Sequence, residues 1–456
     1  MIGHFIKIAL LATIGLAPAS PVQANPFETT LDNGLKVIVQ EDRRAPSVVH
    51  MVWYKAGAMD EPEGVSGIAH MLEHMMFKGT ESVGPGEFNR RVAEVGGRDN
   101  AFTGRDYTAY FQQIPPAHLE QMMALEADRM INLKLSLEQF LPEVEVVKEE
   151  RRMRTDDNPR ALVFEQLMAT AFHSHPYRRP IIGWMTDIEG YTMDDAQRWY
   201  DDWYAPNNAT VIVVGDVDHQ SVFEMARAHY GPIPSRALPE RRIPDEPPLR
   251  GPRHSVVQAP AELPFIALAW HAPTLRDPLG DDDVYALQVL SAILDGYEGA
   301  RLPRSLVREQ QIAVSAGSSY GGTGRGPSLF LLMATPAEGR TVGDVERALL
   351  AEIERIAEEG ISEAELQRVR TQAIAAQVYK RDSLMGQAME IGFLELVGLS
   401  WRDDEAMLDG IRRITAEQVQ AAAATLFDPQ RVIRAELDPL PLEQASTRRP
   451  SAPLRH

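Results

Sequence analysis

Cysteine is absent from all 456 residues, so neither a disulfide nor a thiolate metal ligand is available to this chain. Beyond residue 24 no apolar run approaches the roughly 18 residues that a bilayer-spanning helix needs. Basic residues are also scarce: 46 Lys and Arg stand against 65 Asp and Glu, a net charge of −19. That balance argues against nucleic acid as a partner, because such binding is driven by basic groups displacing counterions. An acidic surplus of this kind keeps a protein soluble and would attract cationic peptides over long range. The length, with 44% hydrophobic and 24% charged residues, suits a soluble protein of two or three domains whose core is large enough to do without covalent staples.

The N-terminus reads as an export signal. Lys7 precedes an apolar run from Ile8 to Ala17, followed by Pro18 and a small-residue site at Val22-Gln23-Ala24. Cleavage after Ala24 would remove residues 1–24 and place the protein in the periplasm; the alternative is a retained anchor with the body still outside the cytoplasm.

The densest chemistry lies in His70-Met71-Leu72-Glu73-His74. At about 100° per residue, His70, Glu73 and His74 share one helix face while Ile68, Leu72 and Met75 point the other way. Two histidines at i and i+4 can present nitrogens to one zinc ion, leaving room for a third protein ligand and a water. A carboxylate beside that water can take its proton, which makes Glu73 the candidate base. H-x-x-E-H is a recorded zinc-peptidase pattern. The third ligand is sought in the helical stretch Glu143 to Met153. Glu143 and Glu150, seven apart, share a face with Val146 and Val147, whereas Glu145, Glu149 and Arg152 share a charged, solvated face. Glu150 is therefore the expected ligand, and Glu143 the carboxylate that orients a histidine.

His70, Glu73, His74 and, 76 residues after the second histidine, Glu150 resemble the zinc site of the pitrilysin/insulinase metallopeptidases, a family that includes the mitochondrial processing peptidase β subunit and bacterial two-subunit enzymes. The segment Gly96 to Tyr110 is similar to that family's strand in which an Asn-Ala pair meets the peptide substrate, which implies substrate contacts for Asn100, Ala101 and Phe102. Leu31 to Leu35, His175-Pro176-Tyr177 and Tyr204 to Asn208 extend the resemblance over nearly the whole chain. Independently, residues 101 to 112 alternate as a strand would, and an open strand edge beside the metal would accept an extended peptide with little sequence dependence.

Prolines crowd residues 233–252 and read as a linker between a zinc-bearing unit, 25–232, and a metal-free unit, 253–440; the tail, 441–456, reads as disordered. The units repeat. Thr192 opens a helix that leads, fourteen residues on, to Pro206 and the strand Thr210 to Asp216; Thr415 does the same toward Pro429 and Arg431 to Leu437. Two similar α+β units, each a mixed or antiparallel sheet packed with helices, are the expected fold. The second copy carries no histidine where the first has its motif, near Asp283 to Leu294. Gly321 to Gly326 lacks the following helix and lysine of a phosphate loop and is expected to be a flexible loop.

One departure matters. In self-sufficient members of the family the zinc-free half supplies an arginine and, seven residues on, a tyrosine. Here Arg308 is present, but Val314 or Ser315 takes the tyrosine's place, with Tyr320 as a substitute from the next turn. The resemblance then implies a zinc endopeptidase that acts with a similar zinc-free subunit, or as a homodimer; the competing expectation is a non-catalytic scaffold subunit of the same fold.

Overall fold

A computed structural model describes residues 26–442. The expected signal peptide, and the tail from residue 443 onward, lie outside the described residues. Among the described residues eleven strands form two sheets: β1 Phe27–Thr30, β2 Lys36–Glu41, β3 Val48–Tyr54, β4 Arg98–Thr103, β5 Thr108–Ile114 and β6 Ala209–Gly215 in the first, and β7 Arg253–Pro260, β8 Phe265–Ala272, β9 Ala313–Tyr320, β10 Ser328–Pro336 and β11 Ile433–Leu440 in the second.

The spatial orders are β1-β2-β6-β3-β5-β4 and β7-β11-β8-β10-β9. With β1 set aside, both follow one plan: the last strand inserts between the first two, parallel to the first and antiparallel to the second. The two α+β units read in the sequence are thus present as one topology used twice. Thr192 and Thr415 each close a capping box, with Asp195 and Gln418, at the head of an eleven-residue helix that leads into the inserted strand. β3 and β6 are buried along their whole length, as the runs Val-Val-His-Met-Val-Trp-Tyr and Ala-Thr-Val-Ile-Val-Val-Gly require of central strands.

One face of each sheet packs on its own helices. In the first, Val37, Val52, Tyr110 and Val211 join a core with the helices Ile68–Met75, Leu119–Asn132 and Met193–Trp203; in the second, Leu268, Trp270 and Phe330 join one with Asp282–Asp295 and Val342–Glu359. The opposite faces exchange helices across the molecule. Val163, Leu167 and Ala171, on the helix Pro159–Ala171, cover the second sheet at Ala267, Ala269 and Ala435. Ala388, Ile391 and Leu396, on Leu384–Val397, cover the first at Met51, Trp53 and Ile212. Gly392 makes that approach possible, since a Cβ there would lie 2.2 Å from the Trp53 ring.

Residues 233–252 contain no strand or helix. Two sequence expectations are corrected. The strand expected over 101–112 is a hairpin, β4 and β5 joined through Gly104 to Tyr107, where the Gly104 amide donates to the Tyr107 carbonyl at 2.8 Å; Gly-Arg-Asp is turn chemistry inside an otherwise β-forming run. The Gly321–Gly326 loop is pinned rather than free. Arg325 makes a bidentate pair with Asp60 (2.7 and 2.9 Å), its amide donates to Asp106 (3.1 Å), and the Gly326 amide donates to the Tyr177 hydroxyl (2.9 Å). Glycine is needed at 326 because a Cβ would lie 2.5 Å from the His175 ring.

Candidate metal centre

The helix Ile68–Met75 buries Ile68, Met71, Leu72 and Met75 against the first sheet, which turns His70, Glu73 and His74 toward the helix Leu137–Arg151. Glu150 meets them there. Its Oε1 lies 3.6 Å from His70 Nε2 and its Oε2 3.4 Å from His74 Nε2. One ligand atom from each of these residues falls within 4.8 Å of the other two. Glu149 sits on the outer side of the helix with Arg152, and Glu145 pairs with Lys148 in solvent. Glu143 is buried and accepts from His74 Nδ1 at 2.8 Å, while Lys78 contacts its other oxygen. With Nδ1 bonded to Glu143, His74 is left with Nε2 facing Glu150.

Two imidazole nitrogens and a carboxylate are a zinc-type donor set, and the electrostatics fit a cation. Burial, and then the neighbouring His74, push His70 down to about 4, so it is neutral at physiological pH. Burial also disfavours charge on His74, but the Glu143 and Glu150 carboxylates more than offset it and hold its pKa up to about 9; positive charge is wanted between those carboxylates. Glu150 itself is held below the usual range: its burial acts the other way and is outweighed by the imidazoles and Arg154. His70 Nδ1 is buried without a partner.

Glu73, the middle member of the motif, is raised by burial, which moves a carboxylate toward the basicity a proton acceptor needs. Its Oε2 accepts from Thr103 Oγ1 at 2.5 Å. Thr103 ends β4, the outermost strand of its sheet, so the free edge of that strand runs past the base. Of the expected substrate contacts, Asn100 and Ala101 lie on this edge, and the Ala101 amide donates to Asn100 Oδ1 at 2.9 Å. The Phe102 ring instead packs among Trp53, Tyr107 and Phe111 on the far side of the sheet. In the second half, Val314 is exposed, Ser315 bonds Thr335, and the Tyr320 hydroxyl donates to the Pro273 carbonyl at 2.5 Å.

Three residues escaped the sequence reading. Thr103 was inside the quoted segment, where only its side of the strand distinguishes it. Lys78, one helical turn after His74, carried a signal in its spacing. Arg154 Nη1, 2.7 Å from Glu150 Oε1, carried one too, since an acid and a base four residues apart share a helix face.

Residues 36–184 match the family model described as insulinase (peptidase family M16), and residues 190–373 the one described as peptidase M16 inactive domain. The zinc protease PqqE of Helicobacter pylori is 34% identical over 372 residues, 80% of this chain and 82% of that protein. A crystal structure of a protease from Helicobacter pylori superposes with a TM-score of 0.85 at 31% identity, covering 91% of this chain and all of that one. The periplasmic protease PqqL from Escherichia coli superposes at 0.77 with 19% identity; 94% of this chain is matched by 51% of that one.

Proposed function

The chain belongs to the insulinase family of peptidases, M16, and from that premise we propose that it is a zinc-dependent endopeptidase cleaving extended peptides. The observation that carries the reading is the convergence of His70, His74 and Glu150 with Glu73 beside them. His70 Nε2, His74 Nε2 and a Glu150 oxygen would hold the ion, with Glu143 fixing the His74 tautomer. When bound, zinc supplies Lewis acidity to the scissile carbonyl and to a water.

Glu73 takes the water's proton and later returns it to the leaving amine. Its elevated basicity suits that exchange, and the Thr103 hydroxyl keeps the carboxylate in one orientation. Peptide would add to the free edge of β4, main chain to main chain, across Asn100 and Ala101; recognition of that kind selects for extended conformation more than for sequence. Phe102 then serves by packing behind the strand. Lys78, Glu143, His74 and Glu150 follow one another as a chain of alternating charge that holds His74 in place.

In the second half Tyr320, the substitute considered for the missing tyrosine, is committed to the Pro273 carbonyl. A similar zinc-free chain supplying an Arg/Tyr pair, or a second copy, would enclose the site; PqqL, twice as long, has room for both parts in one chain. The N-terminal signal reading and the periplasmic location of PqqL favour the same compartment here.

The test is metal analysis of the purified chain, then its incubation with a mixed peptide library, alone and with the product of a neighbouring similar gene. One zinc per chain and cleavage at internal bonds are expected, fastest with the pair. Zinc at full stoichiometry with no cleavage under either condition would replace the enzyme by a scaffold subunit.

A further inference from the structure

Neither ligand-bearing helix is set by its own sequence alone. The helix Ile68–Met75 starts at Gly67, which has no side chain to cap it. Its first amides go to a buried carboxylate from upstream, Gly67 to Glu61 Oε2 (2.9 Å) and Ala69 to Glu61 Oε1 (3.0 Å). The residue before it, Ser66, is fully engaged by one segment, residues 182–191. Its amide and hydroxyl donate to Asp187 Oδ2 (3.1 and 2.5 Å), its hydroxyl accepts from the Trp184 amide (3.0 Å), and its carbonyl accepts from the Tyr191 hydroxyl (2.5 Å).

The same segment grips the Glu150 helix. Arg151, one residue on and so about 100° around the helix from Glu150, is buried; its Nη1 donates to the Gly183 carbonyl (2.7 Å), and it pairs with Glu165 through both guanidinium nitrogens (2.8 and 2.9 Å). No side chain can intervene where the strap crosses Ser66 and Gly67. A Cβ on Gly67 would lie 2.3 Å from the Ile182 carbonyl oxygen, and one on Gly183 2.2 Å from that of Ser66; both glycines have positive φ, +86° and +90°.

We infer that residues 182–191 are a clamp that sets the separation of the two ligand-bearing helices, with Asp187 and Arg151 as positioning residues for the histidine pair and Glu150. The inference rests on the metal reading of the site. Both residues act through other groups, Asp187 through Ser66 on the entry to one helix and Arg151 through Gly183 on the end of the other. A fixed separation matters because a zinc site tolerates only small departures in ligand distance.

The experiment compares zinc affinity, measured by chelator competition, and the visible spectrum of the cobalt-substituted protein in the wild type, Asp187→Asn, Arg151→Lys and the milder Ser66→Ala. Arg301→Lys is the control. It weakens a buried pair of like chemistry in the other half, where Arg301 binds Glu365 (2.7 and 3.0 Å) and the Gly360 carbonyl (3.2 Å). Removing a group that orients a metal ligand lowers affinity roughly 10–100-fold. That loss is expected for Asp187→Asn and Arg151→Lys with an altered cobalt spectrum, a smaller loss for Ser66→Ala, and none for the control at matched thermal stability. Wild-type affinity and spectrum in all three clamp variants, or an equal loss in Arg301→Lys, would overturn the clamp. A wild type that binds no zinc, or whose binding survives His70→Ala, would instead bring down the metal reading itself.

Discussion

The two halves share one strand order but differ in what their corresponding helices do. Ile68–Met75 is apolar on one side only and presents two imidazoles and a carboxylate on the other. Asp282–Asp295, its counterpart, buries Val284, Tyr285, Leu287, Leu290 and Leu294 on nearly every side. The contrast extends to the interior. Among the described residues the second half fully buries, of acidic and basic side chains, Arg301 and Glu352, whereas the first buries His50, Glu61, Glu126, Arg129, Glu143 and Arg151 among others. A fold that can be held by apolar contacts alone carries, in one copy, a set of buried charges that each need a partner. The difference between the copies is therefore chemical rather than architectural, and it should be separable by substitution.

The sharpest separation is Glu73→Gln. Losing a positioned proton acceptor typically costs about 10²–10⁴-fold in rate, so peptide cleavage should fall by that factor while zinc per chain stays at the wild-type value; loss of zinc would make Glu73 a structural residue. Next is the join between the halves. The Arg325 and Asp60 side chains are only 7% and 1% exposed, and removing one partner of a pair so enclosed costs up to about 3–5 kcal/mol. Arg325→Ala should lower the denaturant midpoint accordingly, and a loss confined to one half's unfolding transition would show the halves to be energetically independent.

The smallest effect is pH-dependent and belongs to the same join. Burial pushes His175 down to about 4, and Gly326 of the second half packs on its ring. A base whose pKa is depressed by folding is protonated more readily unfolded, so this contribution is complete above about 6.5 and is lost as pH falls toward 4. The wild type should lose more thermal stability than His175→Gln over that window; parallel curves would remove His175 from the acid response of the join.

The local parts of the site were legible. His70, Glu73 and His74 are neighbours in sequence, so a helix is enough to gather them, and the choice between Glu149 and Glu150 needed only helical phase. The repeat was legible through Thr192 and Thr415, since a capped helix before a strand is written in consecutive residues. What failed was information that only the packed chain holds. The apolar faces of Pro159–Ala171 and Leu384–Val397 announce burial but not against which sheet. Gly321–Gly326 has the composition of a flexible loop, and its anchors, Asp60, Asp106 and Tyr177, are more than a hundred residues away. Ala101 and Phe102 are adjacent in one motif, yet strand alternation puts them on opposite faces, and the Phe102 ring joins an aromatic cluster.

The helix exchange also dictates an order of events during synthesis. The sheet face bearing Met51, Trp53 and Ile212 has no cover until residues 384–397 have left the ribosome, by which time most of the chain is already made. An uncovered apolar sheet is a site for aggregation or chaperone capture. The half that carries the candidate metal site therefore stays open on one face until its twin has contributed a helix.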